Sequence, residues 1–199
     1  MPSHNNEDTR ILELLGEPAS GFYLDIGANE PEVSSNTYTL YARGWSGILV
    51  EPIPDICQRL RRYRPRDIVI EAAAGRECGS QQFFVCEKNE LSTGLISIKE
   101  RHALAFVTLQ VPVLTIDEIL RMNFPANTTL DVVSLDVEGA EADVLAGFTL
   151  PLWRPRLLVI ESYLPDSTES NYREWEPNVL RDGYVCRYDD GCNRFYGLQ

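Results

Sequence analysis

The chain contains few of the side chains that bind transition metals. Its 199 residues include two histidines and five cysteines. The cysteines are scattered and form no Cys-x-x-Cys pair, so the sequence is poor in ligands for a zinc site. An odd number of scattered thiols favours reduced cysteines in a cytoplasmic protein.

Long apolar runs and an excess of basic residues are also missing. No segment approaches the roughly 18 consecutive apolar residues of a membrane span. The polar start, Met1 to Arg10, lacks the apolar core of a signal peptide. A net charge of -12 predicts repulsion from nucleic acids and anionic membranes. Residues 59–66 are the local exception, with five arginines, and we interpret them as a solvated helix end in preference to an anion-binding patch.

Apolar segments of strand length alternate with segments of helical spacing. This alternation predicts one α/β domain over residues 1–199 with a doubly wound sheet and a closing hairpin. Residues 1–10 are interpreted as a flexible tail or a first helical turn. The predicted strands cover 22–26, 48–50, 67–71, 81–86, 107–113, 131–136, 157–160, 184–188 and 194–196. The predicted helices cover 11–15, 34–43, 55–63, 116–121, 138–145 and 169–182.

The first two predicted strands resemble the start of a nucleoside-binding fold. The first ends in Asp25 and turns on Gly27, which lets the backbone approach a ligand. The second ends in Glu51, which is placed to bind a ribose diol. The turn has one glycine where a dinucleotide site needs Gly-x-Gly-x-x-Gly, and Asp25 would repel a pyrophosphate. A cationic ligand such as S-adenosylmethionine therefore fits better than NAD.

Four predicted strands end in an acid, namely Asp25, Glu51, Asp136 and Glu161. Ligands bind outside the carboxyl ends of the strands in doubly wound sheets, so we expect these acids to share one crevice. Glu138 and Glu141 follow at the head of a predicted helix. The helix dipole alone would favour acids there.

Three motifs together resemble the FkbM family of S-adenosylmethionine-dependent methyltransferases. They are Asp25-Ile-Gly-Ala-Asn29, Gly44-Trp-x-Gly-Ile-x-x-Glu51-Pro52 and Ser134-Leu-Asp-Val-Glu-Gly-Ala-Glu141. The resemblance implies a class I methyltransferase fold, which is a Rossmann-like, doubly wound, seven-stranded sheet with an antiparallel last strand. It also implies O-methylation of a sugar hydroxyl, since the segments 175–177 and 190–196 resemble a branch often found beside glycosyltransferases.

The same resemblance assigns expected roles to residues. The cofactor-binding candidates are Asp25, Gly27, Ala28, Asn29, Glu51, Pro52 and Asp136. The family does not settle which residue is the catalytic base. From their positions in the sequence, the candidates are Asp136, Glu138, Glu161 and His102, although a surface position is the alternative for His102. The polar segment Leu91 to Gly94 lines the acceptor pocket or is an ordinary connection.

Three alternatives follow from the same residues. Some methyltransferases of this fold hold Mg²⁺ with strand-end acids, and Asp136 and Glu161 have suitable oxygen atoms, but no third ligand is evident. The acceptor could be a small lipid or polyketide hydroxyl instead of a sugar. The chain could also be a nucleoside-binding partner of a glycosyltransferase without catalysis, although it keeps all its strand-end acids.

Overall fold

The computed structural model describes residue 3 and residues 6–86, 92–95, 105–164 and 169–199. Its α-helices are α1 (Glu7–Leu15), α2 (Tyr38–Ala42), α3 (Pro54–Tyr63), α4 (Ile116–Asn123), α5 (Glu141–Ala146), α6 (Leu150–Trp153) and α7 (Glu176–Arg181). Its strands are β1 (Phe22–Ile26), β2 (Ser46–Glu51), β3 (Ile68–Glu71), β4 (Ala73–Ala74), β5 (Gly79–Cys86), β6 (Phe106–Leu114), β7 (Val132–Leu135), β8 (Leu157–Glu161), β9 (Tyr184–Asp189) and β10 (Asn193–Leu198). None of these described helices is long and apolar enough to cross a membrane.

Seven strands form one sheet in the order β3-β2-β1-β7-β8-β10-β9. The pairs from β3 through β8 are parallel, and β10 runs antiparallel to both β8 and β9. The order reverses between β1 and β7, because the chain first builds β2 and β3 on one side of β1. The predicted seven-stranded sheet with an antiparallel last strand is confirmed.

Both faces of this sheet are covered, as the apolar sequence of β1 requires. Leu24 and Ile26 point into one core, which α4, α5 and α7 cover. Tyr23 belongs to a second core on the opposite face, beneath α1, α2 and α3. All five residues of β1 are buried, so its carboxyl end lies at the centre of the molecule.

A second, three-stranded sheet has the order β4-β6-β5. Strand β5 pairs antiparallel with β6 along its whole length, from Gly79 to Cys86. These strands correspond to the predicted extended segments 81–86 and 107–113. The second sheet places Gln81 and Phe83 beside the carboxyl ends of the main strands.

Residues 7–10 form the first turn of a helix, which is the second of the two interpretations given to residues 1–10. Helix α1 begins at Glu7 and not at Ile11. The Glu7 carboxylate accepts a hydrogen bond from the Asn193 side chain (3.0 Å), and the buried Asp8 carboxylate accepts one from Ser3 (2.6 Å). Polar partners, one of them near the other end of the chain, therefore anchor a segment whose own sequence looks like a tail.

Two predicted helices are shorter than expected at their amino-terminal ends. The helix predicted over 34–43 begins at Tyr38, and the one predicted over 138–145 begins at Glu141. The residues before each include non-glycine residues in the left-handed region, Ser34 (φ 56°) and Glu138 (φ 55°). These tight turns replace the expected first helical turns.

The helix predicted over 169–182 is divided. A short 3-10 helix covers Tyr172–Glu174, and α7 covers Glu176–Arg181. Pro177 lies in the first turn of α7, where its missing amide proton costs no helical hydrogen bond. A proline in the middle of one continuous helix would remove a hydrogen bond and clash with the preceding turn.

Gly27 brings the loop after β1 against the loop after β7. Its backbone is left-handed (φ 81°), and a Cβ atom there would lie 1.8 Å from the carbonyl oxygen of Asp136. The sequence predicts that this glycine admits a ligand. The structure shows that it admits the backbone of the neighbouring loop.

We therefore predict that Gly27→Ala is far more destabilising than Gly16→Ala. Gly16 has the same φ of 81°, but a Cβ atom added there would meet nothing within 4 Å. Gly16→Ala therefore measures the cost of the left-handed backbone alone, which is roughly 1 kcal/mol. The clash should raise the cost at Gly27 above roughly 4 kcal/mol. Urea unfolding of both variants is the measurement, and equal losses would show that the close contact is unimportant.

Candidate active site

A cavity of about 650 Å³ opens at the carboxyl ends of the central strands. The four strand-end acids Asp25, Glu51, Asp136 and Glu161 all line it. Gly27, Ala28, Asn29, Pro52 and Glu138 line it as well. The topology thus brings together every described residue that the sequence proposes for the site, and their individual roles remain predictions.

Glu51 lies at the end of β2 and is held by backbone amides. Its carboxylate accepts hydrogen bonds from the amides of Ile53 (2.8 Å) and Asn29 (3.1 Å). Burial raises the pKa of Glu51 to about 7, against the effect of these two donors. The carboxylate therefore connects the loop after β1 with the loop after β2 at the wall of the cavity.

Asn29 provides a further polar group at the same wall. Its side-chain oxygen Oδ1 is buried and has no hydrogen-bond partner among the described residues. A buried acceptor without a partner is costly, and such groups are rare in folded proteins. This acceptor is suited to a donor group on a bound ligand, such as an ammonium or a hydroxyl.

Asp25 lines the cavity although its side chain is only 4% exposed. The Thr37 hydroxyl donates a hydrogen bond to its Oδ2 (2.5 Å), and Ser134 also bonds to it. Burial raises the pKa of Asp25, while the nearby Arg64 charge and the two hydroxyls lower it. The carboxylate is thus stabilised from behind the cavity wall.

Arg64 is the centre of the polar group behind Asp25, and it has no exposed surface. Its Nε donates to Asp67 (2.8 Å), and Nη1 donates to Ser35 (3.2 Å). Its Nη2 donates to the hydroxyls of Tyr23 (2.8 Å) and Thr37 (2.9 Å). We call these five residues the Arg64 network.

Nothing in the sequence singles out Arg64 within the arginine-rich segment 59–66, and the interpretation of this segment as a solvated helix end is wrong for this residue. Arg59 pairs with Glu30 (2.7 Å) and Arg61 with Glu71 (3.0 Å). Arg66 lies over the Tyr41 ring, 3.8 Å from its centroid. These arginines also make contacts within the protein.

The remaining acids form a second group at the opposite side of the cavity. Glu161 hydrogen-bonds to Asp136, and its Oε2 atom is buried without a partner among the described residues. Burial, followed by the charges of Asp136, Glu138 and Glu141, raises the pKa of Glu161 well above its ordinary value. A proton is therefore retained in this group at a higher pH than on an exposed carboxylate.

Glu141 holds the loop that carries two of these acids. One carboxylate oxygen accepts from the amides of Val137 (3.3 Å) and Gly139 (3.1 Å), and the other accepts from the Asn171 side chain. Burial raises the pKa of Glu141 to about 7. The helix dipole, which would favour an acid at this position, does not account for these specific contacts.

Segments outside the main sheet also line the cavity. Ser92 and Gly94 are among them, Leu91 lies outside the described residues, and an acceptor pocket at this segment stays a prediction. Tyr163, Leu164 and Cys192 line the cavity from the other side. His102, one of the four candidates for a catalytic base, lies outside the described residues.

Within the described ranges, no three His, Cys, Asp or Glu side chains are grouped closely enough to hold a metal ion. Asp136 and Glu161 are hydrogen-bonded, but among the described residues they belong to no three-residue group suited to a metal ion. A divalent cation therefore has no support from this geometry.

Comparison with known proteins identifies the family. The family model described as the methyltransferase FkbM domain matches residues 25–186, which is most of the chain. The chain belongs to the FkbM methyltransferase family. It is therefore a methyltransferase, and its family implies S-adenosylmethionine as the methyl donor. No curated protein sequence gives a significant match.

Solved structures with the same fold include other methyltransferases of this class. One is a TehB-like SAM-dependent methyltransferase from Corynebacterium glutamicum (TM-score 0.51, 11% identity, 97% of this chain and 88% of that one). Another is the delta-N METTL16 methyltransferase domain (TM-score 0.51, 10% identity, 96% of this chain and 78% of that one). At such low identity the likeness concerns the fold.

We predict that Glu141→Gln makes the stability of this methyltransferase less dependent on pH. The pKa of Glu141 in the folded state, about 7, lies above its ordinary value of 4.5. The resulting stability is complete below about pH 4.5 and is lost as the pH rises through about 7. The loss is on the order of 3 kcal/mol at most, and glutamine removes it while keeping an oxygen for the two amides.

Thermal unfolding at about pH 4 and about pH 8 is the measurement, because these values bracket the titration. The melting temperature of Glu141→Gln should fall less between them than that of the wild type. Glu141→Ala, which removes the oxygen as well, should be destabilised at both pH values. Parallel pH curves for the wild type and Glu141→Gln would contradict the assignment.

Proposed function

We propose that this methyltransferase acts on oxygen, and that its acceptor is a sugar hydroxyl of a glycan or glycoconjugate. One observation supports the proposal most strongly. Glu51 and the acid group of Asp136, Glu138 and Glu161 line the same cavity from different strand ends. A donor at the Glu51 side and a hydroxyl at the acid group would therefore meet within one enclosed space.

The first side of the cavity suits S-adenosylmethionine. Bound there, this cofactor supplies a methyl group on a positively charged sulfur. Glu51 would accept hydrogen bonds from the ribose hydroxyls beside Pro52. The loop from Asp25 through Gly27 and Ala28 to Asn29 would hold the methionine end. Acids on both sides of the cavity favour a cationic ligand, and the buried Asn29 oxygen offers a hydrogen-bond acceptor.

The acid group would take the proton that the acceptor hydroxyl loses. A positioned base contributes about 100- to 10,000-fold, and it works best when its pKa is near the working pH. Burial and neighbouring charges raise the pKa of Glu161 in that direction. Its buried Oε2 atom lacks a partner among the described residues, so it can accept a hydrogen bond from an incoming hydroxyl. Asp136, which is hydrogen-bonded to Glu161, and Glu138 complete the group.

A sugar fits this side because its several hydroxyls are donors and ionised carboxylates are acceptors. A second candidate acceptor is the hydroxyl of a small lipid or polyketide. Phe83, Leu95 and Leu164 at the mouth of the cavity favour it, because they offer apolar contact to a hydrocarbon. In either case the methyl group needs alignment with the hydroxyl, which is worth up to ~7–11 kcal/mol.

We predict that Glu51→Ala weakens the binding of S-adenosylhomocysteine by roughly 2–3 kcal/mol, the scale of lost hydrogen bonds to a charged group. Isothermal calorimetry measures the effect. Glu71→Ala is the matched control, because Glu71 is the register partner of Glu51 on β3 and is exposed. Unchanged affinity in Glu51→Ala would refute the ribose assignment, and no binding to the wild type would leave a non-catalytic role.

We also predict that at least one of Asp136→Asn, Glu138→Gln and Glu161→Gln loses turnover while its affinity for S-adenosylhomocysteine barely changes. This pattern marks an interaction made in the transition state. Transfer of a radiolabelled methyl group to a panel of saccharides, with a parallel panel of hydroxylated lipids, is the measurement. Full activity in all three variants would exclude a carboxylate base and leave His102.

The same assay with EDTA distinguishes the metal-dependent alternative. Full activity in the chelator would show that no divalent cation is needed. Loss of activity, restored by Mg²⁺ or Mn²⁺, would show instead that Asp136 and Glu161 serve a cation whose other ligands come from solvent, substrate or undescribed residues.

A further inference from the structure

The Thr37 hydroxyl makes hydrogen bonds that its position just before a helix does not predict. Thr37 immediately precedes α2, where a threonine commonly caps the helix with its side chain. Here it makes no such capping bond. The fully buried hydroxyl bonds instead to Asp25 and to Arg64.

The hydrogen bonds around Arg64 have a fixed direction. A guanidinium only donates, so the Thr37 hydroxyl accepts from Nη2 and its single proton goes to Asp25. The Tyr23 hydroxyl likewise accepts from Arg64 and donates to Asp67 (2.7 Å). Each hydroxyl thus links the cation to a carboxylate. Of these two carboxylates, the one bonded to Thr37 lines the cavity.

We propose that Thr37, held by Arg64, is a positioning residue that orients the Asp25 carboxylate toward the amino group of the bound cofactor. The inference rests on the proposed cofactor site, in which Asp25 belongs to the methionine-side loop. The inference adds one element to the proposed cofactor site, namely a hydroxyl that lies behind the carboxylate and does not contact the ligand.

The charges around Asp25 determine how the role can be measured. Arg64 favours the ionised carboxylate, whereas Asp67 and Glu51 oppose it. Thr37 and Ser134 donate hydrogen bonds to it from two other elements, and both lower its pKa against the effect of burial. Removal of the Thr37 hydroxyl should therefore raise the pKa of Asp25 further and weaken cofactor binding on the acid side.

The test compares Thr37→Val, which has nearly the same shape without the hydroxyl, with Thr37→Ser, which keeps the hydroxyl. The affinity of each for S-adenosylhomocysteine is measured by calorimetry from about pH 5.5 to about pH 8.5. Each unit of pKa change alters the ionised fraction up to tenfold on the acid side. We expect Thr37→Val to lose affinity, by up to about tenfold for each unit of pKa increase, and to lose more toward the acid end of this range than toward its alkaline end. Thr37→Ser should follow the wild type.

Ser35→Ala is the matched control. It removes another buried hydroxyl that accepts a hydrogen bond from Arg64, but this hydroxyl belongs to the side of the network away from Asp25. The variant should lower the melting temperature without moving the pH profile. The titration of Glu51 is common to all the variants, so it does not produce a difference between them.

Superimposed profiles for Thr37→Val and Thr37→Ser would overturn the proposal. If Thr37→Val does not fold, Thr37→Ala takes its place, since it also lacks the hydroxyl and introduces no bulk. Absence of binding to the wild type at every pH would instead overturn the proposed cofactor site, and the inference with it. The two failures are thus distinguishable in one experiment.

Discussion

Burial of the Arg64 guanidinium is the constraint on which the centre of this structure depends. A buried cation costs several kcal/mol unless its donors are satisfied. Asp67, Tyr23, Ser35 and Thr37 accept its hydrogen bonds, and they come from three separate parts of the chain. The network therefore fixes the entry to β3, the strand β1 and the loop before α2 in relation to one another. The cavity wall that carries Asp25 is built on this fixed arrangement.

The buried acids of the cavity lower the stability of the folded chain near neutral pH. Burial raises the pKa values of Glu51 and Glu141 to about 7 and the pKa of Glu161 well above its ordinary value. Each is therefore costly to keep ionised near neutral pH. A chain selected for stability alone would replace such groups, so their concentration around one cavity is typical of a functional site.

Sequence patterns locate the strands and their terminal acids because these depend on local apolar runs. They do not reveal the Arg64 network, since Tyr23, Ser35 and Thr37 are distant from Arg64 along the chain and arginine is usually exposed. Glu138 is predicted to lie in a helix, because that prediction also uses local spacing alone. Its left-handed turn accompanies the contacts of Glu141 with two nearby amides and with Asn171, and the contact with Asn171 is distant along the chain. Local signals thus locate the strand-end acids, while contacts distant along the chain, such as those of Arg64, determine the geometry around them.

The contact between Gly27 and the Asp136 carbonyl couples two loops that line the cavity. No atom larger than hydrogen fits between the two loops, so neither can be reshaped without displacing the other. A change in the loop after β1 therefore requires a matching change in the loop after β7. Phe83, Ser92, Tyr163 and Cys192 line the cavity from outside these two loops, so substitutions there can alter its shape without disturbing this contact.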